Sequence, residues 1–174
     1  VAAGIPLAAL AAHLPSGMPL VRAMPNTPCL VGEGATGFCL GLHAGERDAE
    51  VASALFGAVG LVERVPEASM DAVTAVSGSG PAYVFAFLEA LYAAAEALGL
   101  DEGLARRLVD QTVVGAARLV RESGEHPATL RQRVTSPGGT TAAALDVLMG
   151  PDGLNELMAK AIDAATRRSK ELAS

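Results

Sequence analysis

The 174-residue sequence has no tryptophan, two tyrosines and four phenylalanines. Aromatic plates are therefore unavailable to most of its interior, and a core of Ala, Val and Leu on closely packed helices is expected. Cysteine is as scarce: Cys29 and Cys39 are the only two, with no C-x-x-C or Cys/His spacing. That argues against a disulfide framework and suits buried thiols in a reducing cytosol, so a cytoplasmic location is expected. The three histidines, His13, His43 and His126, share no i, i+4 spacing and have no Cys or carboxylate companions at ligand spacing. No metal site is expected. Net charge is −6, and the 13 basic residues are scattered apart from Arg106-Arg107, Arg131/Arg133 and Arg167-Arg168. Without a basic stripe, nucleic acid is not expected as a partner. The N-terminus V-A-A-G-I-P has no initiator Met and no basic region followed by a long apolar run. It does not read as a signal peptide, and loss of an upstream part is expected.

What the chain does have is apolar surface, 51% of its residues. The most apolar run, P-A-Y-V-F-A-F-L-E-A-L-Y-A-A-A-E-A-L-G-L from Pro81, carries Glu89 and Glu96 inside it, so it reads as a core helix and not a membrane span. Val84, Leu88, Leu91, Ala95 and Leu98 mark one apolar stripe, and Phe87, Ala90, Ala94 and Ala97 a second beside it. A helix apolar on nearly every side needs more partners than one small bundle supplies, which points to a subunit interface and a homodimer.

The first third alternates short strands and helices. Val1–Gly4 reads as the tail of a strand, Pro6 opens a helix, P-L-V-R-A-M and G-A-T-G-F-C-L-G are strands, 47–59 is helical and 61–65 returns as a strand. This β-α-β rhythm is that of the second half of an open α/β sheet, with the first half absent. From about Glu67 the strands stop. Helices are expected over 81–98, from an Asp101 cap to about Glu122, from a Thr140 cap onward, and over 152–172, with a short turn starting at Pro127.

Three segments carry candidate chemistry. V-S-G-S-G-P-A-Y has a G-x-G spacing, but Tyr83 stands where a Rossmann fingerprint needs Gly or Ala and Pro81 removes a backbone donor, so a tight entry into a helix is preferred to a phosphate loop. M-P-N-T-P puts Asn26 and Thr27 just beyond a strand end, where open α/β sheets bind ligands; an ordinary proline-bracketed turn explains it equally. In T-S-P-G-G-T-T, Gly138 and Gly139 permit close backbone approach, and the following helix start offers free N–H groups to an anion such as a small carboxylate; a plain helix cap is the alternative.

Taken together, V-A-A-G-I, R-A-M-P-N-T-P-C-L-V-G-E-G-A-T-G, D-A-V-T-A-V-S-G-S-G-P-A-Y and R-V-T-S-P-G-G-T-T-A-A-A-L resemble the pyrroline-5-carboxylate reductase family, in its order and spacing, across essentially the whole chain. The resemblance implies an α/β remnant of a Rossmann-type sheet followed by an all-α helical dimerisation domain. Residues 1–66 would be the C-terminal part of the dinucleotide-binding domain, and 67–174 the helical dimerisation and substrate-binding domain. The family's opening G-x-G-x-x-G half, about 100 residues and a normal size for such a unit, is not in this sequence.

The implied reaction is NAD(P)H-dependent reduction of 1-pyrroline-5-carboxylate to L-proline, the last step of proline biosynthesis, with NADPH or NADH as cofactor. Implied partners are that small-molecule substrate and a second copy of the chain, with rings built from dimers. By resemblance, Ser136, Gly138, Gly139, Thr140 and Thr141 hold the substrate carboxylate and Glu125 stands near the ring nitrogen, while Asn26, Thr27, Glu67, Thr74 and Ser77 lie on the cofactor side. Arg133 stands where some relatives carry Asn. No acid or base is assigned as catalytic, and without the nucleotide-binding half this chain alone is expected to be inactive. Two other readings stay open: a different NAD(P)-dependent imine or hydroxyacid reductase, and a non-catalytic helical assembly module. The hydroxyacid reading wants a basic residue at the hydroxyl, yet the only lysines are Lys160 and Lys170, near the end.

Overall fold

A computed structural model describes residues 3–172. It divides into two compact units, Val1–Tyr83 with Ala159–Ser174, and Val84–Met158. The first holds a three-stranded sheet in the order β1 (Val21–Met24), β2 (Gly34–Leu40), β3 (Gly60–Arg64). The central strand is buried on both faces because successive side chains point opposite ways. Phe38 packs with Ala49 and Ala52 of α2 (Glu46–Gly57), joined by Val21, Ala23, Leu40 and Val62. Its neighbour Cys39 packs on the other face with Met70 and with Leu7 of α1 (Leu7–Ala11).

Strand direction in this sheet is mixed. β2 and β3 are parallel, joined through α2, but β1 and β2 are antiparallel, with Val21 opposite Leu40 and Met24 opposite Gly37. The link between β1 and β2 is a short 3-10 helix, Thr27–Val31. So short a connection reverses the chain, whereas a parallel pair needs a crossover of a dozen residues or more. Val1 and Ala2 of the expected strand tail lie outside the described residues, and Ala3 and Gly4 form a turn.

After β3 the chain is helical. A 3-10 turn (Glu67–Ser69) leads into α3 (Met70–Val73) and then into a π-helix over Thr74–Gly78, which the sequence reading did not foresee. The helices α4 (Gly80–Ala97) and α5 (Glu102–Ser123) follow, then α6 (Pro127–Arg133), α7 (Thr140–Leu148) and α8 (Leu154–Glu171). As expected, Asp101 caps α5, its Oδ1 accepting from Leu104 N at 3.0 Å. The turn expected at Pro127 is instead a helix of seven residues, with Pro127 at its first position and His126 Nδ1 accepting from Ala128 N. The sequence division at residue 66 marks where strands end. The first compact unit instead runs to Tyr83 and takes in most of α8, from Ala159 onward.

The second unit has almost no interior of its own. Among its described residues only Ala105 is buried, and no residue of α4 is. Leu88, Leu91 and Ala95, from the first expected stripe, are half-buried, but Val84 and Leu98 are exposed, as are Phe87, Ala90, Ala94 and Ala97 of the second. The α4 and α5 helices are joined at the polar edge, where the Tyr92 hydroxyl donates to Asp110 Oδ1 and the Arg106 guanidinium lies 5.8 Å from the Tyr92 ring centre. Among the described residues no helix is long and apolar enough to cross a membrane.

Candidate functional site

The candidate site residues fall into two groups, one in each unit. In the first, β1 ends at Met24 and passes through Pro25 into Asn26, the residue before the 3-10 helix. The Asn26 side chain bridges backbone: Oδ1 accepts from Ala35 N at 2.8 Å and Nδ2 donates to Ser77 O at 3.0 Å. The structure thereby brings Asn26 and Ser77 together. Thr74 is buried and its hydroxyl donates to Met70 O at 2.8 Å, and the Ser77 hydroxyl donates to Val73 O at 3.1 Å. Thr27 is exposed. Of these four residues, then, three use a side-chain donor internally, leaving Thr27, the backbone of the turn and hydroxyl lone pairs to meet a ligand.

Glu67 has a different setting. Its Oε1 accepts from Leu7 N, the first amide of α1, at 2.6 Å and lies 3.4 Å from Arg22 Nη1. Pro6, at the N-cap, has no side-chain donor or acceptor to serve that helix end, so a carboxylate 60 residues away does so. Glu67 also lines a cleft of about 430 Å³ with Cys39, Arg64 and Pro66. Burial, and then the negative charge of Glu67, raise the Cys39 thiol above its ordinary pKa, while Arg22 opposes them.

The G-x-G of Gly78–Gly80 spans the junction from the last residue of the π-helix to the first of α4, with no strand directly before it. It cannot be the strand–turn–helix phosphate loop, and the helix-entry reading stands.

In the second unit, Ser136 to Gly139 form a turn closed by Gly139 N donating to Ser136 O at 3.0 Å. Gly138 sits at φ +68°, left-handed backbone that a side chain would strain. Gly139, not Thr140 as the sequence suggested, occupies the N-cap, and no side chain caps the helix. The first helical bond runs from Ala143 N to Gly139 O at 3.2 Å. The amides of Thr140, Thr141 and Ala142 therefore precede the ladder and point out of the helix start, with Thr140 exposed and Thr141 half-buried. Such a start, with unladdered amides, the positive end of the helix dipole and two threonine hydroxyls beside it, suits a carboxylate.

Glu125 is half-buried and accepts from Arg133 Nη1 at 2.5 Å, so one of its oxygens is already paired with a cation from the end of α6. The spacing of eight residues across Pro127 gave no helical signal for this pair, and sequence reasoning missed it. Among the described residues no group of three or more His, Cys, Asp or Glu side chains is placed to hold a metal ion.

Comparison with known proteins identifies the family. A family model described as pyrroline-5-carboxylate reductase dimerisation matches residues 67–172. A pyrroline-5-carboxylate reductase of Pseudomonas aeruginosa is 47% identical over 174 residues, 99% of this chain and 63% of that protein. Pyrroline-5-carboxylate reductase 1 of Bacillus subtilis is 42% identical over 172 residues, 99% of this chain and 58% of the relative. The crystal structure of Plasmodium falciparum pyrroline carboxylate reductase with NADP bound superposes with a TM-score of 0.92 at 35% identity, covering 99% of this chain and 69% of that one. The chain thus spans about three-fifths of the length of the curated relatives it matches. With the match covering the whole helical part and the fold shared across the sheet, the chain belongs to the pyrroline-5-carboxylate reductase family.

Proposed function

We propose that this chain is the part of an NAD(P)H-dependent reductase that binds 1-pyrroline-5-carboxylate and directs its reduction to L-proline. The observation that carries the reading is the uncapped start of α7, where a Ser-Pro-Gly-Gly turn leaves three amides and the hydroxyls of Thr140 and Thr141 for a small carboxylate. Charge-assisted bonds from such a site fix the ring at one end and set the position of its C=N bond. A dihydronicotinamide, when bound, would supply a hydride; taken up by the protonated imine carbon, it would turn the C=N double bond into a single bond and leave the electron pair of the former π bond on nitrogen. No protein nucleophile is required, so positioning carries most of the catalysis. Glu125, paired with Arg133, is a carboxylate suited to stand near the cationic ring nitrogen, and Asn26, Thr27, Glu67, Thr74 and Ser77 are assigned to the cofactor side.

The chain works as a homodimer in this reading, because α4 exposes Val84, Phe85 and Phe87 and the second unit buries only Ala105 among its described residues. Rings built from such dimers are part of the same proposal. Cys29 and Cys39 are free thiols, in keeping with a cytoplasmic setting. The test is an assay on the full-length protein that follows NADPH and NADH oxidation with 1-pyrroline-5-carboxylate and with small 2-keto acids, and identifies the product. Turnover of the imine to proline, with the keto acids inert, is the expected result; keto-acid turnover without imine turnover would favour the hydroxyacid alternative.

A further inference from the structure

The five residues Thr74–Gly78 form a π-helix, closed by Ser79 N donating to Thr74 O at 2.8 Å. π-turns are rare, and they occur mostly where a protein needs a local widening, often at functional sites. This one has its carbonyls collected from outside. The Tyr83 hydroxyl donates to Ala75 O at 3.1 Å, and Asn26 Nδ2 donates to Ser77 O at 3.0 Å from 51 residues upstream. Through Oδ1, the same Asn26 amide holds Ala35 N at the start of β2. One side chain thus fixes the end of β1, the start of β2 and the π-turn.

The chemistry allows only an amide here. Oδ1 meets an N–H and Nδ2 meets a carbonyl, so an aspartate would set a carboxylate oxygen against Ser77 O, and an alanine would leave both partners unmet. The packing beside it is equally close: a Cβ on Gly78 would lie 2.6 Å from Met24 Cε, so the turn rests directly on the end of β1. Thr74 and Ser77 turn their hydroxyl donors back into their own helix. What this segment presents outward is therefore set by where its backbone is held, and Asn26 holds it.

We infer that Asn26 is a positioning residue, which acts by fixing the π-turn in the geometry that hydride transfer requires and not by contacting the cofactor. The inference rests on the functional reading above for its kinetic consequence, while the staple itself is a structural claim. The experiment uses the full-length protein with Asn26→Asp, which keeps the size and loses the donor to Ser77, and Tyr83→Phe, which loosens the same turn from its other side without touching the strand ends. For both variants, kcat should fall about tenfold, the scale of one lost hydrogen bond to a buried partner, with the Michaelis constants for the imine acid and for NADPH within about twofold of wild type. Hydrogen exchange in peptides covering 74–83 should quicken in both. A raised NADPH constant with kcat retained would make Asn26 a direct cofactor ligand and overturn the inference. So would a lowered thermal midpoint with kcat per folded enzyme unchanged, which would make the staple purely structural. Should the wild-type protein fail to reduce the imine, the functional reading falls by itself; the exchange result then decides the staple, with unchanged exchange in Asn26→Asp and Tyr83→Phe counting against it.

Discussion

Ser169, near the end of α8, donates to Asp71 Oδ1 in α3 at 2.7 Å, joining residues 98 positions apart. Ser169 is 2% exposed, so the donor end of this part-buried bond is shielded from water, and the bond ties the last turns of α8 to the helix that follows the sheet. Removing the hydroxyl leaves a carboxylate oxygen partly buried without its donor. Ser169→Ala should cost about 1–3 kcal/mol, the penalty for an unmet buried acceptor. Urea unfolding of the two proteins at neutral pH measures it, and a difference below about 0.5 kcal/mol, ordinary for surface changes, would show that water replaces the hydroxyl freely.

The Thr141 hydroxyl and amide belong to the uncapped start of α7. Thr141→Ala should weaken binding of the pyrroline carboxylate by about 1–2 kcal/mol, roughly tenfold in its Michaelis constant, as one charge-assisted hydrogen bond is lost. Steady-state kinetics of the full-length variant reports this. An unchanged constant in a well-folded variant removes Thr141 from the site.

Phe87 is 44% exposed on a helix with no buried residue. Light scattering coupled to size exclusion should give the chain twice its monomer mass at micromolar concentration, and Phe87→Asp should shift it to monomer or to aggregate. A well-folded wild-type monomer would refute the interface.

How much of this could be read beforehand varies with the distance over which each feature is determined. Strand β2 and helices α4 and α5 follow from local patterns, and Asp101 announces the cap it makes. The Ser-Pro-Gly-Gly-Thr-Thr segment was legible as a helix start, though Gly139 and not Thr140 proved to stand at the cap. The π-turn was not legible, since one extra residue in a helical run of Ala, Val and Thr leaves no mark on composition. Long-range partners were equally hidden. Glu67 capping α1, Asn26 stapling Ser77 and Ser169 reaching Asp71 depend on tertiary packing that no local window contains. For the same reason the antiparallel entry of β1 became visible only when its link to β2 proved to be a tight 3-10 turn.

The Cys39 thiol is 3% exposed, and burial raises its pKa, with the charge of Glu67 adding to the effect. The neutral thiol is thus the form the fold prefers. Its contribution to stability is complete below the unfolded-state pKa and is lost as pH rises through the higher folded-state value. Denaturant midpoints should therefore fall between neutral pH and about pH 10 more in wild type than in Cys39→Ala, which has no thiol to ionise. Parallel pH profiles would show that the thiolate is tolerated.

Hydride delivery to an imine carbon held by the helix start at Thr140 and Thr141 is the central step of the proposed reaction. The direct measurement is isotopic: the full-length protein is supplied with nicotinamide cofactor deuterated at the transferring position and with 1-pyrroline-5-carboxylate, and the product is analysed by NMR. Proline carrying a single deuterium on the carbon of the former C=N bond is the predicted result. Absence of proline, or proline without that deuterium, would contradict the account.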